Sequence, residues 1–173
     1  NMAQFATALL QQMDDKEAAV EEATEIVHAM PGALQAEWLQ RFGRKIGIAQ
    51  AQPSDQKLIE DLLALMQADG ADFTNTFNAL GGGSAKDEFV DQAAFAAWRA
   101  RWQDRLQAEP DSASVMAQTN PAIIPRNHRI EEAITAAVAD DLGPFERLNA
   151  AFRTPFEVSD DNADLRRPPT DAE

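Results

Sequence analysis

The sequence contains no cysteine and no tyrosine, and only two of its 173 residues are histidine. The lack of cysteine excludes disulfides, thiolate nucleophiles and cysteine-ligated metals. Basic residues are also scarce, because 15 Lys and Arg stand against 29 Asp and Glu, a formal net charge of −14. Nucleic acids are bound by neutralising their phosphates with Lys and Arg, so this charge argues against a nucleic-acid partner. An anionic membrane surface would repel the same charge.

Long apolar runs are missing as well. No apolar stretch approaches the roughly 20 residues that span a bilayer, and the N-terminus lacks the basic segment and apolar run of a signal peptide. We therefore expect a cytoplasmic protein without a membrane partner. The first residues, 1–5, already follow a helical pattern. This suggests that the chain is cut from a longer protein.

What the sequence does contain is Ala, Leu and Phe at helical spacing. Apolar residues make up 45% of the chain, and no window alternates apolar and polar residues as a strand does. Phe95, Trp98 and Trp102 fall on one face of a helix, and the last two helices are expected to turn Ile134 and Phe145 inward. The pattern predicts an all-α fold, an irregular multi-helix bundle over residues 1–156. An acidic, proline-containing tail over 157–173 follows it.

Helix boundaries are predicted from breakers and caps. Pro31-Gly32 is expected to end the second helix, and Gly70 is expected to end the clearest apolar helix. Asp72 and Asp91 are good N-caps for the two helices that follow them. The run 81–84, Gly-Gly-Gly-Ser, reads as a flexible loop.

The segment 120–128, Asn-Pro-Ala-Ile-Ile-Pro-Arg-Asn-His, is the least generic part of the chain. Its two prolines favour an extended connector, since a residue before proline avoids the α region. Asn127 is then expected to cap the next helix. The alternative is a docking surface in which Arg126 reaches a carboxylate or phosphate. The candidate docking or structural residues are Asn120, Pro121, Pro125, Arg126 and Asn127.

The residues do not form any of the catalytic or metal-binding patterns that were considered. His28 and His128 are far apart, and neither has another metal-ligating residue at a suitable spacing. Ser84 lies in the glycine run without a G-x-S-x-G context, and the phosphate-loop pattern G-x-x-x-x-G-K-[ST] is absent. The sequence therefore assigns no catalytic, cofactor-binding or metal-binding residue.

Several segments together resemble one known family. They are Asn1 to Ala6 followed by Leu9-Leu10, Trp38-Leu39 with Arg44-Lys45-Ile46-Gly47-Ile48, Asp72 to Phe77 with Leu80, and Met116 through 120–128 to Glu132-Ala133-Ile134, Phe145, Leu148 and Pro155-Phe156. In this combination the chain resembles the C-terminal region of the selenoprotein O family, the pseudokinase-fold protein adenylyltransferases.

The resemblance implies a function for a longer parent protein. That function is AMP transfer from ATP to Ser, Thr or Tyr hydroxyls of proteins, with magnesium or manganese as cofactor. The family's nucleotide and metal sites lie in a kinase-like core before this region, so none of their residues is carried over, and the implied partners are that core and the parent's protein substrates. The family's C-terminal cysteine- or selenocysteine-containing motif has no counterpart here. The alternative function is a stand-alone helical adaptor that binds a protein or peptide between its helices.

Overall fold

The computed structural model describes residues 2–170, and this part of the chain is helical with no β-strand. The all-α prediction is therefore confirmed. Residues 171–173 of the predicted tail, and Asn1 of the resemblance, lie outside the described residues. The α-helices are α1 Met2–Leu10, α2 Lys16–Lys45, α3 Gln56–Asp69, α4 Phe73–Gly82, α5 Gln92–Leu106, α6 Ser112–Thr119, α7 Asn127–Val138 and α8 Gly143–Ala151. Short 3-10 helices cover Pro53–Asp55, Ala85–Glu88 and Ala163–Arg166.

The chain divides into two compact units, the first ending at Arg41 and the second beginning at Phe42. The predicted boundary after residue 156 stays a prediction. In the second unit, Leu165 is 3% exposed and belongs to a cluster with Ile123, Ala133 and Leu148. Residues that follow α8 thus add an apolar side chain to the packing of α7 and α8. Among the helices of residues 2–170, none combines the length and the apolar composition of a membrane span.

One predicted helix break is wrong, and one predicted loop is partly helical. Pro31 lies inside α2, which continues to Lys45. Proline removes one hydrogen bond from a helix, but here the strong helix formers Ala29 and Met30 precede it and Ala33 and Leu34 follow Gly32. The glycine run is also partly helical, because α4 extends to Gly82 and ends at Gly83 in the left-handed conformation (φ 79°). A Cβ at Gly81 would lie 3.6 Å from that of Met116 in α6, so helix packing compensates for the low helix propensity of glycine.

Two predicted caps and one predicted stop are confirmed. The Asp72 carboxylate accepts a hydrogen bond from the backbone N–H of Asn75 at 2.8 Å. Asp91 accepts from the backbone of Ala94 at 2.9 Å at the start of α5. Gly70 ends α3 with φ 65°, a value that L side chains adopt at a cost.

The core of the second unit is built around aromatic side chains of α5. Phe95, Trp98 and Trp102 are buried, as their spacing predicts. Their rings continue a stacked column from Phe89, with centroid separations of 4.4, 5.7 and 5.4 Å. Both indole N–H groups are satisfied, since Trp98 donates to the carbonyl of Leu58 and Trp102 donates to that of Ile46. The column therefore fixes α5 against α3 and against the residues that follow α2.

The inward orientation predicted for the outer residues of α7 and α8 is wrong. Ile134 and Phe145 are 50% and 55% exposed, and Val138 is 83% exposed. Only the inner residues of the stripe, among them Leu148, are buried. The apolar stripe of α7 and α8 is wider than the surface that the two helices bury against each other, so its outer residues stay exposed. An open apolar groove of about 330 Å³ remains between them.

Candidate functional site

The connector between α6 and α7, residues 120–126, lies against α4 and the end of α2. Its backbone is held by one acceptor, because the N–H groups of Ala122 and Ile123 both donate to the carbonyl of Pro155 at 2.9 and 3.0 Å. Both residues are buried. Pro121 is half-buried and Pro125 is exposed, so the prolines lie at the edges of this packed segment. The connector is thus built into the fold.

Asn120 ends α6 and is only 3% exposed. Its amide nitrogen donates to the backbone carbonyl of Lys45 at 2.8 Å and to that of Phe77 at 3.1 Å. Its amide oxygen accepts from the Lys45 ammonium at 3.4 Å, and its backbone carbonyl accepts from the Asn78 side chain. An asparagine amide offers two N–H donors and one carbonyl acceptor, and all of them are in use. Asn120 therefore joins three segments of the chain.

Lys45 contributes a cation to the same contact. Its ammonium lies 5.4 Å from the ring centroid of Phe73 and 5.2 Å from that of Phe77. These are cation–π distances. Burial lowers the pKa of Lys45 from its ordinary value. The carbonyl of Asn120 and the two rings replace part of the water that this cation has lost.

Arg126 reaches a carboxylate within its own chain. Its guanidinium donates to both oxygens of Asp72, at 2.9 and 3.0 Å, in the bidentate geometry that suits Arg and carboxylate. The Arg126 side chain is 6% exposed and that of Asp72 is 18% exposed. Asp72 therefore both caps α4 and anchors the connector. The sequence indicated the cap but not the pair, because the two residues are 54 positions apart.

The Asn127 cap prediction is wrong. Arg126 occupies the N-cap position with extended backbone angles (φ −91°, ψ 133°), and Asn127 is the first residue of α7. No side chain caps this helix. The side chain of Arg126 is directed to Asp72, so the helix begins where the connector is anchored. Asn127 is exposed.

Burial, hydrogen bonds and nearby charges shift the pKa of Asp72 and that of Glu88. Burial raises the pKa of the Asp72 carboxyl, but hydrogen bonds from Arg126 and from the backbone of Asn75 outweigh it and hold the pKa below the ordinary value. Burial, and then the charge of Asp72, raises the pKa of Glu88. Arg166 donates to the Asn78 side chain at 3.1 Å, which ties the segment after α8 to α4. The arrangement is a network of internal ion pairs and hydrogen bonds.

Neither histidine joins this network as a metal ligand. His128 is buried, and its Nε2 has no hydrogen-bond partner among the described residues. Across residues 2–170, no three His, Asp or Glu side chains come close enough together to hold a metal ion. The connector site thus combines cations, amides and carboxylates that are joined by internal ion pairs and hydrogen bonds, although the buried Nε of Arg126 has no partner among the described residues. Its chemistry is that of structural anchoring.

Comparisons with known proteins cover nearly the whole chain. A family model described as "Protein adenylyltransferase SelO" matches residues 1–153, which include the connector and Asp72. The chain is 59% identical over 170 residues to "Protein nucleotidyltransferase YdiU" of Roseobacter denitrificans, covering 98% of this chain and 36% of the relative. It is 53% identical over 173 residues to the protein of the same name from Ruegeria sp., covering 100% of this chain and 37% of the relative. The chain thus spans about a third of the length of these relatives.

Proposed function

Since the chain belongs to the protein adenylyltransferase SelO family, we propose that it is the C-terminal helical region of a longer adenylyltransferase. In this proposal the full-length parent transfers AMP from ATP to Ser, Thr or Tyr hydroxyls of its protein substrates. The region described here supports the catalytic core and carries no catalytic residue. Its partner is the kinase-like core of its own parent chain, in the cytoplasm.

Two observations support the proposal. The chain matches about a third of the length of its relatives, and it exposes large apolar side chains that nothing in their own unit covers. Within the second unit, Ile134, Val138 and Phe145 are at least half exposed along α7 and α8. Within the first unit, Phe5 and Ile26 are 57% and 58% exposed beside an apolar groove of about 230 Å³. Clustered exposure of large apolar side chains is typical of a surface that a partner covers.

ATP and magnesium or manganese are assigned to the parent's core. The residues described here do not fit a metal–nucleotide site, because no acidic or histidine cluster of metal-ligand spacing is present within 2–170. The Asp72 carboxylate of the connector site is already paired with Arg126. No catalytic step is therefore derived for this chain.

The supporting role follows from how such a reaction is catalysed. Phosphoryl and nucleotidyl transfer depends on positioning and on charge stabilisation by metal ions and basic groups. A rigid helical region that packs on the core contributes by limiting the core's movement. The anchored connector and the stacked aromatic column make the second unit suitable for this role, because both join distant segments.

The test is a labelled-ATP transfer assay on three proteins: the full-length parent, the parent without this region, and this region alone. We expect AMP labelling by the parent, impaired labelling without the region, and none by the region alone. Labelling by the isolated region would overturn the claim that it carries no catalytic residue. An inactive parent, with the isolated region retaining a protein partner, would favour the stand-alone adaptor.

A point variant isolates the role of the exposed surface. Val138→Asp in the parent should reduce labelling, because it places a charge on an apolar contact, while the isolated chain should melt as before. Thr135→Asp is the matched control, since Thr135 is also exposed on α7. Equal labelling by both variants would remove the α7 and α8 surface from the proposed contact with the core.

A further inference from the structure

A cavity of about 460 Å³ in the second unit lies between the end of α4 and one face of α5. Phe95 and Trp102 form part of its wall and are 3% and 6% exposed. The glycines 81–83 form another part, and without side chains they leave the space open. Cavities of roughly 300–1,000 Å³ with apolar walls and a few polar groups are the usual sites for small molecules.

The charges at this cavity are all of one sign. Lys86 and Arg99 line it, and no Asp or Glu is among its lining residues. Such a local excess of positive charge is unexpected in a chain with nearly twice as many acidic as basic residues. Within residues 2–170, neither side chain makes a salt bridge or a hydrogen bond.

Other arginines of the same helix behave differently. Arg101 donates to Asp61 at 2.8 Å, and Arg105 donates to Asp55 at 2.7 Å. These two lie outside the cavity lining, whereas Arg99 lines the cavity and is half-buried without a carboxylate. The unpaired cation is thus confined to the face of α5 that borders the cavity.

Amide groups complete the polar lining. Gln103 lies on the same face of α5 and has no side-chain partner among the described residues, and Gln107 donates to Asp104 at 3.4 Å. The amide N–H groups of Gln103 can donate to an anionic group that the two cations attract.

We propose that this cavity binds a small organic anion, in which a carboxylate or phosphate group faces Lys86 and Arg99 and an apolar body packs against Leu106 and the aliphatic stem of Arg99, at the edge of Trp102. The proposal does not rest on the adenylyltransferase function, because it concerns a surface of this chain alone. Two free cations provide the charge attraction. Leu106 and the stem of Arg99, which are half-buried, provide the apolar contact area.

The experiment follows the chain by NMR while three probes are titrated: 3-phenylpropionate, phenyl phosphate and the neutral 3-phenylpropionamide. We expect saturable shifts of the Gln103 side-chain amide and the Trp102 indole with the two anions. The neutral amide should bind more weakly. The two anions separate a carboxylate preference from a phosphate preference. Equal binding of the neutral probe, or no saturable shift with either anion, would overturn the proposal.

Charge variants test the site without relying on one residue. Arg99→Gln and Lys86→Gln should each weaken anion binding by about two- to fivefold, as expected for partly exposed charge pairs. Gln103→Glu should weaken it as well, because it adds a repelling carboxylate. Arg101→Gln removes the same charge from the same helix outside the cavity and should leave binding unchanged. Equal weakening by Arg101→Gln would show only a general charge effect and overturn the assignment. Should Arg99→Gln not fold, the exposed Lys86 and Gln103 variants decide the matter.

Discussion

The guanidinium of Arg105 lies across the carboxylate of Asp55, a residue 50 positions earlier in the chain, with donor distances of 2.7 Å from Nε and 3.2 Å from Nη2. Asp55 is 4% exposed and also accepts from the backbone N–H of Gln52 at 2.8 Å. The pair joins α5 to the short helix that precedes α3. A second pair of the same kind, Arg126 with Asp72, joins the connector to α4. Both pairs connect segments that are distant in sequence.

Breaking the connector pair should destabilise the fold strongly. Arg126→Leu leaves the Asp72 carboxylate without its cation in a partly buried position, and we expect a loss of about 3 kcal/mol in the free energy of unfolding. Urea denaturation of the isolated chain measures it. Arg101→Gln removes an exposed pair with Asp61 and should cost less than about 1 kcal/mol. Similar losses for both variants would contradict the anchoring role of Arg126.

Two substitutions of Asn120 separate the loss of its amide donor from the addition of a repelling acceptor. Asn120→Asp keeps an acceptor for the Lys45 ammonium but replaces the amide donor by a second acceptor opposite the carbonyls of Lys45 and Phe77. Asn120→Ala removes the donor without adding repulsion, and should cost about 1–3 kcal/mol for the carbonyls left unpaired. We therefore expect Asn120→Asp to lower the denaturation midpoint further than Asn120→Ala at neutral pH. The reverse order would show that the two carbonyls do not depend on this donor.

Stability should depend on pH with two opposite contributions. In Asp55 and Asp72 burial raises the pKa, but bonds from Arg105 and Arg126 respectively outweigh it, so each folded-state pKa lies below the ordinary 3.8. Their stabilising contribution is therefore complete above that value and is lost as the pH falls through the lower folded-state pKa. Glu88 has a pKa raised above 4.5, so its contribution is present below that value and is lost as the pH rises through its folded-state pKa.

The measurement is the free energy of unfolding as a function of pH. We expect it to fall below the ordinary aspartate pKa, and this acid-side loss should be smaller in Asp72→Asn, because that residue no longer titrates. Above the ordinary glutamate pKa, Glu88 should lower the free energy of unfolding as the pH rises. Glu88→Gln should remove this decrease. An unchanged acid limb in Asp72→Asn would contradict the shift assigned to that residue.

The caps give a comparison within one protein. Asp91 accepts two backbone hydrogen bonds at the start of α5, so Asp91→Ala should cost about 1 kcal/mol. Asn127 makes no capping bond and is exposed, so Asn127→Ala should change stability by less than about 0.5 kcal/mol. Thermal melting of the two variants measures the difference. A larger loss for Asn127→Ala would restore it as the cap of α7.

Local signals in the sequence predicted local structure well. Asp72, Asp91 and Gly70 were identified because a cap or a left-handed stop depends on a few neighbouring residues. The failures at Pro31 and at the glycine run have a different cause. There a local preference against helix is overcome by the helix that continues around it, and at the glycines also by packing with α6.

The candidate site was predictable in its position but not in its bonds. The proline-rich pattern of 120–128 marked an unusual connector, and the alternative to a structural role was a docking surface in which Arg126 reaches a carboxylate or phosphate. Its partner, Asp72, could not be identified, since no short-range pattern relates residues 54 positions apart. The orientation of Ile134 and Phe145 failed for a related reason. Helical spacing predicts an apolar face but not whether anything in the chain covers it.

The contacts of Asn120 have a kinetic consequence. They join it to residues 43 and 75 positions away, so they form only after long loops have closed. We expect these contacts to form after the folding transition state, and a variant such as Asn120→Ala should then speed unfolding while leaving the refolding rate nearly unchanged. The lifetime of the folded second unit, more than the speed with which it forms, thus depends on this one amide.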